Sequence, residues 1–175
     1  WSAVFTTPQT YRNQLAFLNA TGSYRVSDTW AIKGNAYIRS FRQTHVDGNT
    51  SDVEPCDPGL FPGFLCFGDD TNLLFGTSGP VPDILNGAVP GSIDRTKTAA
   101  QTFGGTLQAA NNDKLFGRDN HFVVGASLDH GRVQFDASSE RGSIGNDLFV
   151  TGTGVIISQP DGSVAPVDLK TRNSY

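Results

Sequence analysis

Three histidines, a serine beside an Asp-His pair, a group of acids and two cysteines are the residues of this chain whose types could do chemistry. Their spacing decides whether they do. His45, His121 and His130 stand far apart, with no i, i+4 pairing that would set two imidazoles on one metal. Ser127, Asp129 and His130 have the makings of a nucleophile, an orienting acid and a base. Successive side chains of a strand leave on opposite faces, however, so Asp129 and His130 diverge. Gly152-Thr153-Gly154 lacks the following helix signal that a phosphate loop needs. Asp52, Glu54, Asp57, Asp69 and Asp70 could gather calcium through oxygen ligands, or simply form a solvated loop. Neither an enzyme nor a cofactor is expected.

Cys56 and Cys66 lie in one stretch, and no third cysteine leaves a thiol over. They read as a disulfide made in an oxidising compartment such as the periplasm. Two buried thiols or a metal pair are the alternatives, and neither flank supplies the further ligands zinc would want.

The elements around these residues follow a period of two. Ala16, Leu18, Ala20, Gly22, Tyr24 and Val26 share one face, and Asn19, Thr21, Ser23 and Arg25 dominate the other, with Leu15 and Phe17 as exceptions. A strand over 13–26 is predicted. Ser27-Asp28-Thr29 has the composition of a tight turn. A second strand over 30–45 sets Trp30, Ile32, Gly34, Ala36 and Ile38 against Lys33, Asn35, Arg39 and Gln43. A third, over 96–111, sets Ala99, Phe103, Leu107 and Ala109 against Thr98, Thr102, Thr106 and Gln108. In a fourth, over 121–140, Phe122, Val124, Ala126 and Leu128 share a face, and past Asp129 the apolar set moves to Val133, Phe135 and Ala137. A bulge, or emergence from a bilayer, explains that move.

Each stretch offers roughly the 9–11 residues that a tilted strand needs to cross a hydrocarbon core. Tyr24 and Trp30 flank the first short turn and Phe116 and Phe122 the second connection, where an aromatic girdle would sit. An ordinary antiparallel sheet with one wet face writes the same period. The connection over 46–95 tips the balance, because it holds six of the nine prolines and no long periodic run. Structureless loops beyond roughly 12–15 residues are rare in compact soluble domains, whereas membrane barrels grow long loops on one side. The second long connection, 141–172, is expected to hold a hairpin, with Val155 to Ser158 and Ser163 to Ala165 joined by a turn at Gln159-Pro160-Asp161-Gly162.

The fold expected over 1–175 is therefore all-β, an antiparallel up-and-down meander forming an open segment of a transmembrane β-barrel with long extracellular loops. Four or five strands cannot close a barrel, since about eight are needed, so the chain reads as a piece of a longer protein. Thr171 to Tyr175 look like the start of a further strand. A formal net charge of -4 with scattered basic residues gives no reason to expect nucleic acid. No apolar run reaches the length of a membrane helix, which a barrel does not need.

The phrase from Thr106 to Gly131, TLQAANNDKLFGRDNHFVVGASLDHG, resembles a strand, periplasmic turn and strand of TonB-dependent outer-membrane receptors of the siderophore type. NQLAFLNATGSYR, residues 13–25, is similar to another of their strands. The resemblance implies a large barrel in the outer membrane of a Gram-negative bacterium, with a plug, importing ferric siderophores or similar scarce nutrients on energy passed through the TonB complex. The plug and the box that contacts that partner are not in this sequence, so a piece from the middle of the barrel is expected. On the water-facing side the candidates for ligand contact are Lys33, Asn35, Tyr37, Arg39, Gln43, Thr102, Thr106 and Gln108. Basic and amide groups there could meet the plug or guide an anionic chelate, or merely wet the lumen. The competing expectation is a soluble secreted β-sheet module for adhesion or carbohydrate binding, with the disulfide-tied loop as its contact surface.

Overall fold

The computed structural model describes residues 5–175. It is all-β, with 68% strand and antiparallel sheets, and no helix among the described residues. The strands are β1 (Gln9–Arg25), β2 (Trp30–Thr50), β3 (Val53–Pro55), β4 (Leu65–Phe67), β5 (Phe75–Gly76), β6 (Gly79–Pro80), β7 (Val89–Asn111), β8 (Phe122–Ile144), β9 (Val150–Ile156) and β10 (Val167–Ser174). The main sheet runs β1-β2-β7-β8-β10, with β9 also paired to β8. Its long strands thus neighbour one another in chain order, as a meander does, once the excursion between β2 and β7 is set aside. Two small antiparallel pairs, β3-β4 and β5-β6, lie in that excursion.

By Cα packing the chain divides into two compact units. One contains Gln14–Arg42, Ala99–Gln134 and Lys170–Tyr175. In it the first turn is held by Ser27, whose hydroxyl accepts the backbone N–H groups of Thr29 (3.3 Å) and Trp30 (3.0 Å), while Val26 N–H donates to the Trp30 carbonyl at 2.9 Å. The two short connections meet at the same end. Asn112 N–H donates to the Thr29 carbonyl at 3.0 Å, and the Thr29 hydroxyl donates to Asp113 Oδ2 at 3.1 Å. Asn111 folds the start of the second connection by accepting the Asp113 N–H at 3.0 Å, the local bond that favours Asn and Asp in turns. At its tip Phe116 and Gly117 both take positive φ, 52° and 74°, as the two central residues of a twist-matched hairpin turn do.

The other unit contains the described residues up to Asn13, with Gln43–Thr98 and Phe135–Leu169. Here the expected structureless loop over 46–95 gives way to structure. β2 continues to Thr50 and β7 starts at Val89, and the segment between them folds around a core of Val53, Leu65, Leu74, Val81 and Leu85, joined by Ile157. Gly48 and Gly91 read as loop residues in the sequence, but each occupies a close approach inside a strand. A Cβ at Gly48 would lie 2.8 Å from the Thr7 carbonyl oxygen, and one at Gly91 would lie 2.8 Å from the Ile144 side chain. The bare backbone there admits the neighbouring strand.

Cys56 and Cys66 are joined by a disulfide that ties the excursion together, and Cys66 is fully buried. Two of the five acids serve as turn-formers: Asp57 Oδ1 accepts Gly59 N–H at 2.6 Å, and Asp69 Oδ1 accepts the Thr71 hydroxyl (2.8 Å), Thr71 N–H (2.9 Å) and Asn72 N–H (2.8 Å). The Thr71 hydroxyl first, then these amides, hold the Asp69 carboxyl below the usual carboxylate range. That support is complete above the ordinary aspartate value and is lost as pH falls through the lowered one. Among the described residues no group of three His, Cys, Asp or Glu is placed to hold a metal.

The expected hairpin over 155–165 is present only as its turn. Gly162 N–H bonds the Gln159 carbonyl at 3.0 Å, and Gln159 N–H bonds the Val164 carbonyl at 2.7 Å. The strand before the turn, β9, pairs instead with Glu140 to Ile144 of β8, with a register shift between Glu140 and Gly142. Val155 and Ile157 are better used against the loop core than against Ser163 to Ala165.

In protein prepared without reductant, mass spectrometry should recover the peptides carrying Cys56 and Cys66 as one linked species. Closing a ring of this size contributes about 2–3 kcal/mol. The Cys56→Ala/Cys66→Ala variant should therefore be cut by protease within residues 51–88 well before the wild type is.

Candidate functional site

The register of the sheet sorts the candidate side chains. In the unit carrying the two short turns, the Asn35 side chain accepts the Thr106 N–H at 3.0 Å and its hydroxyl at 2.6 Å. A Cβ at Gly34 would meet the Leu107 side chain at 3.3 Å, and one at Gly105 would sit 3.8 Å from the Ala36 Cβ. These three pairs define one register between β2 and β7, in which Lys33 faces Gln108 and Arg39 faces Thr102. Between β7 and β8 a Cβ at Gly125 would meet the Gln108 side chain (2.8 Å) and one at Gly131 the Thr102 side chain (3.4 Å). Between β8 and β10, Asp129 and Tyr175 exchange both backbone bonds at 3.0 Å, the mark of an antiparallel hydrogen-bonded pair.

Seven of the predicted contact residues, Lys33, Asn35, Tyr37, Arg39, Thr102, Thr106 and Gln108, therefore share one polar face. Shallow hollows open on it, of about 340 Å³ around Thr21, Ser23 and Lys33 and about 360 Å³ around Thr106, Gln108 and Ser127. Gln43 belongs to the other unit, where its amide donates to Asn13 Oδ1 at 3.1 Å. Phe17, an exception to the alternation in the sequence, packs its ring 6.3 Å from that of Tyr37.

A pair that the sequence does not reveal lies on the same face. The Tyr37 hydroxyl donates to Asp129 Oδ1, linking strands separated by β7. Gly104 makes the crossing possible. A Cβ there would collide with Asp129 Oδ1 and lie 2.9 Å from the Tyr37 ring and 2.7 Å from the Leu128 carbonyl oxygen. Asp129 and His130 do diverge, since His130 packs against Phe103 at 5.1 Å and bonds the Ser174 hydroxyl at 2.8 Å. His45 meets the edge of Tyr11 at 5.1 Å, and His121 contacts Asn112. Ser127, Asp129 and His130 therefore do not assemble as a triad.

The opposite face is apolar, built from the other set of alternating residues. Leu18, Tyr24, Ile38, Phe103, Leu107, Phe122 and Leu128 all stand on it with roughly half or more of their surface bare, from 49% for Phe103 to 71% for Tyr24. On β8 the expected bulge near Asp129 does not form against β7. Phe103 meets His130 and Gly131 meets Thr102, so the alternation runs through unbroken. What changes past Leu128 is the chemistry of the apolar-side residues, which become His130, Arg132 and Gln134.

No protein-family model, curated protein or solved structure matches this chain.

Gly104→Ala should break the Tyr37–Asp129 link as surely as Tyr37→Phe does. Because the added methyl also meets the Leu128 carbonyl, it should cost more stability, about 1–3 kcal/mol as for other overpacked sites. Thermal denaturation of the two variants side by side checks the order.

Proposed function

We propose that this chain is a segment of an outer-membrane transport barrel of the TonB-dependent receptor kind, passing a ferric siderophore or a similar small nutrient along its polar face. The observation that carries this reading is the bare apolar face. Large exposed apolar patches are unusual on soluble monomers, and this one is ordered in rows across adjacent strands. In lipid such a face is at home, and strands satisfy every backbone group through their neighbours. From Trp30 to Ile38 the apolar side of β2 covers nine residues, close to the roughly 9–11 a tilted strand needs. Tyr24, Trp30 and Phe122 stand at the turn end, where aromatic side chains favour a membrane interface.

On the polar face Lys33 and Arg39 offer cations, with Asn35, Thr106 and Gln108 as amide and hydroxyl partners. Such a surface attracts an anionic chelate and lets it move between weak contacts. The outer membrane, the ligand and the TonB complex remain parts of this proposal. One observation favours a soluble secreted adhesion or carbohydrate-binding module: the disulfide-tied excursion buries apolar side chains in a small core, completed by Ile157.

Arginine scanning separates the two. In the intact receptor, Ile38→Arg and Ala36→Arg should impair assembly, at about 2–4 kcal/mol near the midplane and less toward the interfaces. Asn35→Arg, one position away but on the polar face, should assemble nearly as the wild type does. Heat-modifiability on gels reads the result, and equal tolerance at 35, 36 and 38 would hand the lead to the soluble module. Arg39→Ala should leave heat-modifiability intact while lowering uptake of an anionic chelate.

A further inference from the structure

The apolar face gives way to polar side chains within about one row on β2, β7 and β8. Beyond the row of Ile38, Phe103 and His130, the same registers place Ser40, Gln101 and Arg132 in one row and Arg42, Ala99 and Gln134 in the next. A pocket of about 210 Å³ opens between these strands, lined by Arg42, Gln101, Arg132 and Gln134 over small residues that include Ala99. The Asp129–Tyr175 pairing carries the pattern onto β10, where Arg172 falls directly opposite Arg132.

Three arginines thus gather on the lipid side just past the apolar band, within the unit that carries the two short turns. None of them is in an ion pair among the described residues. On this face the nearest strand acids are Asp136 of β8 and Asp168 of β10, two rows from Arg132 and Arg172, and no acid stands in the rows of the arginines themselves. Like charges directly opposite one another destabilise a sheet unless a counter-charge sits between them. Guanidinium groups fit phosphate oxygens in a two-pronged geometry, and the short side chain of Ala99 leaves room for such a group.

We infer that Arg42, Arg132 and Arg172, with Gln101 and Gln134, form a binding site for the phosphate of an anionic membrane-lipid headgroup. The inference rests on the membrane reading above, because it is the apolar band that places the arginines at headgroup level. A lipid held there would lay its acyl chains along Ile38, Phe103 and Leu18 while its phosphate neutralises the arginines.

The test is native mass spectrometry of the intact receptor in detergent, titrated with phosphatidylglycerol, alongside heat-modifiability of each variant. Wild type should hold the lipid about tenfold or more tightly than Arg42→Gln/Arg132→Gln/Arg172→Gln, as the loss of charge-assisted bonds to phosphate requires. The charge-matched Arg25→Gln/Lys114→Gln/Arg118→Gln variant, altered at the turn end instead, should keep it. If the triple variant does not assemble, Arg132→Gln alone should show a smaller loss in the same direction. Equal retention by wild type and an assembled arginine variant overturns the inference and leaves the membrane reading standing. Displacement of the lipid by inorganic phosphate alone would mean a soluble-anion site and overturns it too. A wild-type protein that never becomes heat-modifiable sinks the membrane reading, and this inference with it.

Discussion

Backbone pairing between neighbouring strands is the constraint on which everything else here depends. Every N–H and C=O in a strand must find a partner, and a meander supplies one from the next strand along. Once a register is set, the period of two sends alternate side chains to opposite faces, and a slip by one residue would exchange the faces entirely. The contacts of Asn35 with Thr106, Phe103 with His130 and Asp129 with Tyr175 show that one register holds along each pair. Because it holds, polar and apolar residues scattered through the sequence line up as rows.

Glycine sets how closely those rows can approach. At Gly104 the missing side chain lets Tyr37 reach Asp129 across an intervening strand, and at Gly48 and Gly91 it lets strands pass close to Thr7 and Ile144. The chain accepts a weaker intrinsic strand at these points in exchange for contact that a Cβ would forbid. The same device serves a polar link in one unit and strand packing in the other.

The two units solve the problem of apolar surface differently. Around the excursion, Val53, Leu65, Leu74, Val81, Leu85 and Ile157 bury one another, and a disulfide limits the freedom of the segment that carries them. Arg141 is buried there as well, donating to the Gly91 carbonyl at 2.7 Å. Along the turn-bearing unit the apolar residues bury little against one another and present themselves outward. On the reading proposed here, lipid is the solvent that completes that face, and the arginines mark where it ends.

The sequence by itself determined the strands of the meander and the sorting of their residues, because alternation is a local property that each strand carries within itself. Lys33, Asn35, Tyr37, Arg39, Thr102, Thr106 and Gln108 could be assigned to one face for that reason. The meeting of the two short turns was legible too, since successive connections of an antiparallel meander alternate ends and the long excursion separates the two short ones. Only the tertiary structure decided the rest. The small core of residues 51–88, the pairing of β9 with β8, the Tyr37–Asp129 link and the Arg132–Arg172 juxtaposition all join positions distant in the chain. Their register is set by long-range pairing, and no local period encodes it. Gly48 and Gly91 show the limit most directly: a glycine that breaks a pattern and one that admits a neighbouring backbone are the same letter until the neighbour is in place.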